Sequence, residues 1–350
     1  GGDFVATLPL FAAFLDDPCE PSPYSPLSRK YWNEFYIDWR SAPNWSECHT
    51  AQQLAESVGF REEIRRLRSR DLIDYPAQWH LIRSVLELLS RDFFSRHGRS
   101  DGGFRNYLET YPEAEQYARF RAVQEREKKT WKKWGSALRS GTIPDGTFDK
   151  DARNLYLYAQ WLAAAQIDQL SADFSEQGAG LYMDLPLGTH PDGFDCWHDP
   201  GVFASGVTGG APPDGFFTQG QNWGFQPIHP GNIRRQGYRY LRQVLEPMTT
   251  CSAMIRIDHA MSLQRLYWIP DGFRATDGVY VHYPTDELFA VLTIESRRSN
   301  CLLVGEDLGT VTPKIRERLE RHGVFRMYVG QFECSSHATP PFNPPAHQVV

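Results

Sequence analysis

The sequence lacks the features of membrane-spanning, disulfide-stapled and dinucleotide-binding proteins. Its longest apolar runs, such as residues 161–165 and 301–304, are far shorter than the roughly 20 residues that a membrane helix needs. The six cysteines lie singly and far apart, without a CxxC pair, and no GxGxxG motif follows an early strand. We therefore expect reduced thiols, a cytoplasmic location and no membrane partner.

A large excess of charge of either sign is also absent. The chain has 37 Lys and Arg residues against 43 Asp and Glu residues, a formal net charge of −6. Its one basic run, 126–133, is interleaved with Glu127 and with Trp131, and Trp134 follows at helical spacing. This pattern predicts a solvated helix face and not a nucleic-acid site, so no nucleic-acid partner is expected.

The composition is that of an ordinary globular protein, 41% hydrophobic and 23% charged, and the length allows a large core with an inserted subdomain. Pattern changes divide the chain into three zones. Residues 1–45 combine a short strand-like run with proline-rich loops and are assigned to a barrel. Residues 46–150 repeat apolar side chains near helical spacing, which predicts an inserted helical subdomain. Residues 151–350 return to the barrel and include a long lid loop over about 186–232.

The last zone indicates the fold class. Strands are predicted at 180–184, 253–258, 301–306 and 325–330, between helices near 153–177, 285–299 and 313–322. Nearly all-apolar strands that alternate with helices are typical of parallel sheets buried on both faces. Three of these strands end in a carboxylate, namely Asp184, Asp258 and Glu306, and barrels gather such residues at one face. We predict an α/β fold, a TIM (β/α)8 barrel with helical insertions.

Asp258 and Glu306 suit the cleavage of a glycosidic bond. That reaction needs one carboxylate to attack or stabilise the sugar carbon and one carboxylic acid to protonate the leaving oxygen. Neighbouring strand ends can hold the two groups roughly 5 to 5.5 Å apart, the spacing of retaining enzymes. Arg256 lies two residues before Asp258 on the same strand face, where it would keep Asp258 ionised. His259 could donate to a sugar hydroxyl.

Six motifs in order make the sequence resemble a known family. They are MDLPLG at 183–188, APPD at 211–214, TQGQNWG at 218–224, MIRIDHA at 254–260, GEDLG at 305–309 and YVGQF at 328–332. Together they resemble the amylomaltases, the 4-α-glucanotransferases of glycoside hydrolase family 77 in the α-amylase-like clan. The resemblance spans nearly the whole chain, although the helical zone matches in character more than in letters.

The resemblance implies a role for each candidate residue. Asp258 would be the nucleophile that becomes glycosylated, and Glu306 would be the acid/base. Arg256 and His259 would order the nucleophile and the bound sugar, and Asp184 would bind substrate. The other substrate-binding candidates lie in loops: Tyr24 at the donor sugar site, and Gln221, Asn222 and Trp223 in the loop that covers the groove. The implied partners are malto-oligosaccharides or starch- and glycogen-type glucans, with no cofactor and no metal.

One departure from the family pattern concerns a third carboxylate, an Asp in a Thr-His-Asp-like motif on the seventh barrel strand. The nearest match, residues 337–340, has Ala in place of that Asp and follows the sixth-strand motif too closely. We expect the true motif beyond Val350. We also expect the first, seventh and eighth strands to be missing from the given sequence, because a complete fold would not leave so long an open sheet edge.

Simpler alternatives stay open. A strand-end Asp can serve only as a cap or an ion-pair partner, and Tyr24 and Trp223 can be packing aromatics. The histidines and aspartates of 190–199 have neither zinc nor calcium spacing. Two other functions remain for the whole chain: an α-glucan hydrolase on the same site, and a non-catalytic glucan-binding protein with a relict site.

Overall fold

The computed structural model describes residues 2–308, 311–329 and 348–349. Packing divides the chain into two compact units. The barrel unit comprises Gly1–Leu10, Ser171–Pro191 and Gly201–Val350, and the helical unit comprises Phe11–Leu170 and Asp192–Pro200. The ranges 1–45, 46–150 and 151–350 follow pattern changes in the sequence, and they stay a prediction of the domain organisation.

The described residues form the following elements. The strands are β1 (Phe4–Ala6), β2 (Gly180–Leu185), β3 (Val207–Ala211), β4 (Gln221–Asn222), β5 (Met254–Ile257), β6 (Arg265–Pro270), β7 (Val279–His282), β8 (Leu302–Gly305), β9 (Phe325–Met327) and β10 (Gln348–Val349). The α-helices are α1 (His49–Glu56), α2 (Val58–Arg68), α3 (Tyr75–Arg96), α4 (Gly102–Thr110), α5 (Ala114–Glu127), α6 (Lys150–Glu176), α7 (Phe194–His198), α8 (Pro230–Arg235), α9 (Arg239–Cys251), α10 (Thr285–Ser299) and α11 (Pro313–Arg321). Short 3-10 helices lie at Glu34–Tyr36, Trp39–Ser41, Gly98–Ser100, Trp131–Lys133, Ser136–Leu138, Ala260–Leu263 and Ala275–Asp277.

The barrel unit is built around a parallel sheet in which β1, β2, β5, β8, β9 and β10 are successive neighbours. Every pairing along this order is parallel. Helices α9, α10 and α11 precede β5, β8 and β9 along the chain, which is the succession of a βα barrel. The four strands predicted in the last zone all form. The sequence patterns do not predict β10, which pairs with β9.

Apolar side chains on both faces explain why these strands form a sheet with covered faces. The buried residues of the three central strands include Leu181, Met183, Ile255, Ile257, Leu303 and Val304.

Charged residues and backbone conformation mark the ends of the helices. In α10, acidic residues occupy the first turn and basic residues the last turn, which suits the helix dipole. Asn300 then ends α10 in the left-handed conformation, with a φ of 52°.

A second, antiparallel sheet of the barrel unit has the strand order β4-β3-β6-β7. Its strands β3 and β4 fall within 186–232, so the prediction of one long loop there is wrong in this respect. Helical periodicity and strand alternation both fail to reveal them, because β4 has only two residues and β3 contains two glycines. Gly209 is needed because an added Cβ would lie 2.4 Å from the ring of Phe225.

The helical unit has an aromatic core. The ring of Phe93 lies 5.4 Å from that of Phe104 and 4.9 Å from that of Trp161, and Phe104 is fully buried. A buried ion pair also lies here, since Arg121 Nη1 is 3.3 Å from Glu34 Oε1.

Among the helices of the described ranges, none is long and apolar enough to cross a membrane.

The basic run at 126–133 does not form the continuous helix face that its spacing predicts. Helix α5 ends at Glu127, and Lys128 takes a left-handed conformation with a φ of 48°. Trp134 is buried, with its ring 5.2 Å from the ring of Phe120. The prediction is wrong because burying Trp134 against α5 requires the chain to turn back, which a continuous helix cannot do.

We expect Phe104→Ala to destabilise the protein strongly. The substitution leaves a cavity among Phe93, Phe94 and Trp161, and such truncations cost about 3 to 5 kcal/mol. Urea unfolding followed by tryptophan fluorescence measures the change. Leu72→Ala is the control, because Leu72 is 83% exposed and such surface changes stay within about 0.5 kcal/mol. Equal midpoints for the two variants would contradict the proposed core.

Candidate active site

The carboxyl ends of three neighbouring strands bring the candidate residues together. Asp184 lies near the end of β2 and pairs in register with Arg256 of β5. Asp258 follows β5 and Glu306 follows β8, and Ile257 and Gly305 pair directly before them. The sheet's hydrogen bonds continue into these positions, since Asp258 N–H donates to Leu185 O and Glu306 N–H to Ile257 O. The polar residues are thus held by the same ladder that forms the sheet.

The guanidinium of Arg256 joins the three carboxylates. Its Nη1 donates to Asp184 Oδ1 at 2.7 Å, and its Nη2 donates to Asp258 Oδ1 at 2.8 Å. The same Nη2 lies 3.8 Å from Glu306 Oε2. Burial alone would lower the pKa of Arg256, but Asp184, Asp258 and Glu306 together raise it above its ordinary value. Arg256 is therefore a permanent cation that balances part of this negative charge.

The spacing of Asp258 and Glu306 follows from this shared contact. Asp258 Oδ1 lies 2.8 Å and Glu306 Oε2 lies 3.8 Å from the one nitrogen, Arg256 Nη2. The two distances add to 6.6 Å, which is the largest separation that these two oxygens can have. Inverting glycosidases separate their carboxyl groups by roughly 6.5 to 9.5 Å and retaining ones by roughly 5 to 5.5 Å. These two oxygens therefore lie within the range over which paired carboxyl groups act on one glycosidic bond.

The surroundings of Glu306 favour its protonated form. Burial raises the pKa of its carboxyl group, and the negative charge of Asp258 raises it further. The backbone N–H of His259, 2.7 Å from Glu306 Oε2, and the Arg256 cation act in the opposite direction without cancelling the rise. Asp258, in contrast, accepts a hydrogen bond from Arg256 directly. Two neighbouring carboxyl groups are thus placed in different environments, as acid/base chemistry requires.

His259 lies between this cluster and the antiparallel sheet. Its ring centroid is 5.1 Å from that of Trp223, in an edge-to-face arrangement. Burial lowers the pKa of its imidazole, with Asp258 opposing the shift. A neutral imidazole is therefore favoured here, and such a ring can donate one hydrogen bond and accept another.

The loop candidates divide into two groups. Trp223 reaches the strand-end cluster through His259, whereas the described contacts of Gln221 and Asn222 stay within their own hairpin. Gln221 Oε1 accepts from Trp223 Nε1 at 3.2 Å, and Asn222 Oδ1 accepts from Gly224 N–H at 2.9 Å. These two side chains therefore hold the turn that carries Trp223. Tyr24 belongs to the helical unit and is 44% exposed, and its role at a donor sugar stays a prediction.

Two residues at the site have no role in the sequence analysis. Met327 of β9 accepts a hydrogen bond at its Sδ from Arg256 Nε, at 3.3 Å. Asp307 is buried and accepts from Arg316 Nε at 3.2 Å and from Arg326 Nε at 2.6 Å. Asp307 could have been found, because it directly follows Glu306 in the GEDLG motif. Nothing in the sequence marks Met327, because its contact crosses β8 to reach β5.

The nearest match to the motif of the third carboxylate, at 337–340, lies outside the described residues. So does the end of the sixth motif, from Gly330 to Phe332.

One group of side chains in the helical unit has the composition of a metal site. Glu113, His198 and Asp199 each place one ligand atom within 4.8 Å of the others. The ammonium of Lys30, however, lies 2.8 Å from Glu113 Oε2 and 3.1 Å from Asp199 Oδ2. Hydrogen bonding to His198 and the charge of Lys30 lower the pKa of Glu113 despite its burial. The position between the carboxylates already contains a cation, so this group does not fit a metal ion.

A parallel sheet whose strand ends carry clustered carboxylates defines the class of the fold, an α/β barrel. The chain belongs to the 4-alpha-glucanotransferase family, glycoside hydrolase family 77, whose family model matches residues 1–350. It is 31% identical to a 4-alpha-glucanotransferase of Haemophilus influenzae and 32% identical to one of Mycobacterium tuberculosis, over 95% and 97% of this chain. It spans about half the length of these relatives, 50% and 49%.

Solved structures confirm the predicted fold class. The crystal structure of an amylomaltase from Corynebacterium glutamicum aligns with a TM-score of 0.83 at 27% identity, over 99% of this chain and 49% of that one. A Streptococcus agalactiae amylomaltase, solved in complex with acarbose, aligns with a TM-score of 0.78 at 20% identity, over 94% of this chain and 66% of that one. The resemblance to the amylomaltases is also confirmed.

We expect Glu306→Gln to stabilise the fold at alkaline pH. A raised pKa means that folded Glu306 keeps its proton at pH values where the unfolded chain has lost it. The fold therefore loses stability as the pH rises from the ordinary value of 4.5 through the folded pKa. The variant lacks this penalty, so its midpoint of thermal unfolding should exceed that of the parent at about pH 8 and match it at about pH 4.

Glu317→Gln is the control, because the Glu317 side chain is 69% exposed. Differential scanning calorimetry should show no pH-dependent gain for this variant. A lower midpoint for Glu306→Gln than for the parent at about pH 8 would contradict the inferred environment of Glu306.

Proposed function

We propose that the protein is a retaining 4-α-glucanotransferase, which cleaves an α-1,4-glucan bond and passes the sugar to another glucan. One observation carries the proposal: Asp258 and Glu306 lie within 3.8 Å of one nitrogen of Arg256, at neighbouring strand ends. Membership of the 4-alpha-glucanotransferase family supports it. The proposed substrates are malto-oligosaccharides or starch- and glycogen-type glucans.

In the first step, Asp258 would attack the anomeric carbon of the donor sugar. Its Oδ1 is held by Arg256, which leaves Oδ2 as the attacking oxygen. The bond from the anomeric carbon to the glycosidic oxygen breaks as the new bond forms, and protonated Glu306 gives its proton to the departing oxygen. The products are a glycosyl ester of Asp258, a shortened glucan and an ionised Glu306.

In the second step, a hydroxyl group of an acceptor glucan would attack the same anomeric carbon from the side that the leaving group vacated. Ionised Glu306 takes the hydroxyl proton, the ester bond to Asp258 breaks, and both carboxyl groups return to their starting states. Two successive inversions retain the α configuration. Arg256 compensates the charge of Asp258 whenever the carboxylate is free.

Trp223 is proposed to contact the sugar. Its indole packs edge-to-face on His259, next to the proposed nucleophile, and an aromatic ring there can stack on the apolar face of a glucose ring. The acarbose complex of the streptococcal amylomaltase supports the choice of an oligosaccharide ligand. Gln221 and Asn222 would act by holding the hairpin of Trp223, and Asp184 and His259 would donate or accept hydrogen bonds at the bound sugar.

Incubation of the protein, in its full natural length, with maltotriose tests the proposed transfer. We expect glucose together with malto-oligosaccharides longer than maltotriose, because an acceptor hydroxyl takes the glycosyl group from Asp258. Chromatography of the products measures both. Glucose and maltose alone would show a hydrolase, and glucan binding without any product would show a relict site.

Asp258→Asn and Glu306→Gln should each abolish turnover while malto-oligosaccharide binding persists. Loss of a general acid alone costs about 10²- to 10⁴-fold in kcat, and loss of the nucleophile should cost at least as much. Steady-state kinetics and calorimetric titration with maltoheptaose separate the two effects. Asp286→Asn is the control, because the Asp286 side chain is 76% exposed. Parental kcat in either site variant would contradict the assigned roles.

A further inference from the structure

The chain turns in an unusual way directly after Asp258. His259 has a φ of 47°, in the left-handed region, which a residue with a Cβ atom adopts at an energetic cost. It is one of four non-glycine residues with positive φ in the described part of the chain. The other three include Lys128 and Asn300, which end helices α5 and α10 in the usual way. His259 instead follows a strand, so helix termination does not explain its conformation.

The turn points two successive amides at a single residue. His259 N–H donates to Glu306 Oε2 at 2.7 Å, and Ala260 N–H donates to the Glu306 carbonyl oxygen at 3.0 Å. Glu306 N–H in turn donates to Ile257 O at 3.0 Å. An extended strand points successive amides in opposite directions. The left-handed residue therefore lets the end of β5 bind the backbone and the carboxylate of Glu306 together.

The neighbouring residue on β8 allows this close approach. A Cβ atom on Gly305 would lie 3.1 Å from the Cβ atom of Ala260 and 2.9 Å from a methyl carbon of Leu319. A side chain at 305 would push the turn after β5 away from β8. The small residue at 305 and the left-handed backbone at 259 thus serve one contact.

We propose that His259 is a positioning residue for the acid/base, and that its left-handed backbone, and not its imidazole, holds the Glu306 carboxylate. Asp258 immediately precedes His259, so the turn fixes the Glu306 carboxylate relative to Asp258. This inference rests on the proposed function of Glu306. It separates two roles of one residue: the ring is available to the sugar, and the amide holds the carboxylate.

The amide contact has a defined effect on protonation. The groups that act on the Glu306 carboxylate are Arg256 of β5, Asp258 directly after β5, and the backbone amides of His259 and Leu308. An N–H that donates to a carboxylate stabilises its ionised form. Loss of this donor would raise the pKa of Glu306 further and free the carboxylate to move. A purely structural role for residue 259 predicts neither change.

Three substitutions that all remove the imidazole test the proposal: His259→Gly, His259→Asn and His259→Val. Glycine and asparagine adopt the left-handed conformation readily, whereas a β-branched valine does so poorly. In the Gly and Asn variants, the basic limb of the pH profile of kcat/KM should coincide. In the Val variant it should lie about one pH unit higher, and kcat should be about tenfold below that of the Gly variant.

Lys128→Val is the matched control. Lys128 has a φ of 48° and belongs to the helical unit, so its substitution tests backbone strain alone. We expect a lower thermal midpoint and an unshifted pH profile. A shift in this variant equal to that of His259→Val would overturn the proposal.

Crystal structures of the Gly and Val variants supply a readout that does not need activity. The amide of residue 259 should stay within hydrogen-bonding distance of Glu306 Oε2 in the Gly variant and move out of it in the Val variant. Equal contacts and coinciding pH profiles in the two variants would overturn the positioning role. Absence of glucan transfer by the parent protein would instead overturn the proposed function, and the crystal structures would still decide the role of residue 259.

Discussion

The hydrogen bonds of Arg256 to Asp184 and Asp258 are the interaction on which the site depends. Three carboxyl groups end neighbouring strands of one sheet, and burying them without a cation would be costly. A guanidinium can satisfy several acceptors at once because its donors form a rigid planar fork. Each nitrogen has a described acceptor: Nη1 donates to Asp184, Nη2 donates to Asp258, and Nε donates to the sulfur of Met327. Arg256 thereby sets the distance between the two carboxyl groups proposed to react.

The same cluster lowers the stability of the fold at one position, the Glu306 carboxyl group, whose protonation the proposed reaction uses. Glu306 is largely buried beside Asp258, and both effects raise its pKa. A protein selected for stability alone would place such a group in water or pair it fully. Here the pairing is incomplete, because Arg256 bonds Asp258 at 2.8 Å but lies 3.8 Å from Glu306. The partial pairing leaves burial and the charge of Asp258 to favour a proton on Glu306.

Much of the parallel sheet could be predicted from the sequence, and little of the antiparallel sheet could. Strands such as Leu302–Gly305 are apolar on both faces, and that composition marks them without any knowledge of their neighbours. The strands Val207–Ala211 and Gln221–Asn222 are short or glycine-rich, and they exist because of packing such as that of Phe225 over Gly209. Likewise, Trp134 continues a helical pattern in the sequence, but in the fold it is buried and the helix ends at Glu127.

The sequence by itself determined which residues end the strands, because strand composition and the position of a carboxylate are local properties of the chain. It thereby identified Asp184, Asp258 and Glu306, and period-2 alternation placed Arg256 on the face of Asp258. Only the tertiary structure decided the distances among them, the contact of Met327 and the left-handed turn at His259. These depend on how strands far apart in sequence pair in register, and a register is set by packing across the whole sheet and not by any one segment.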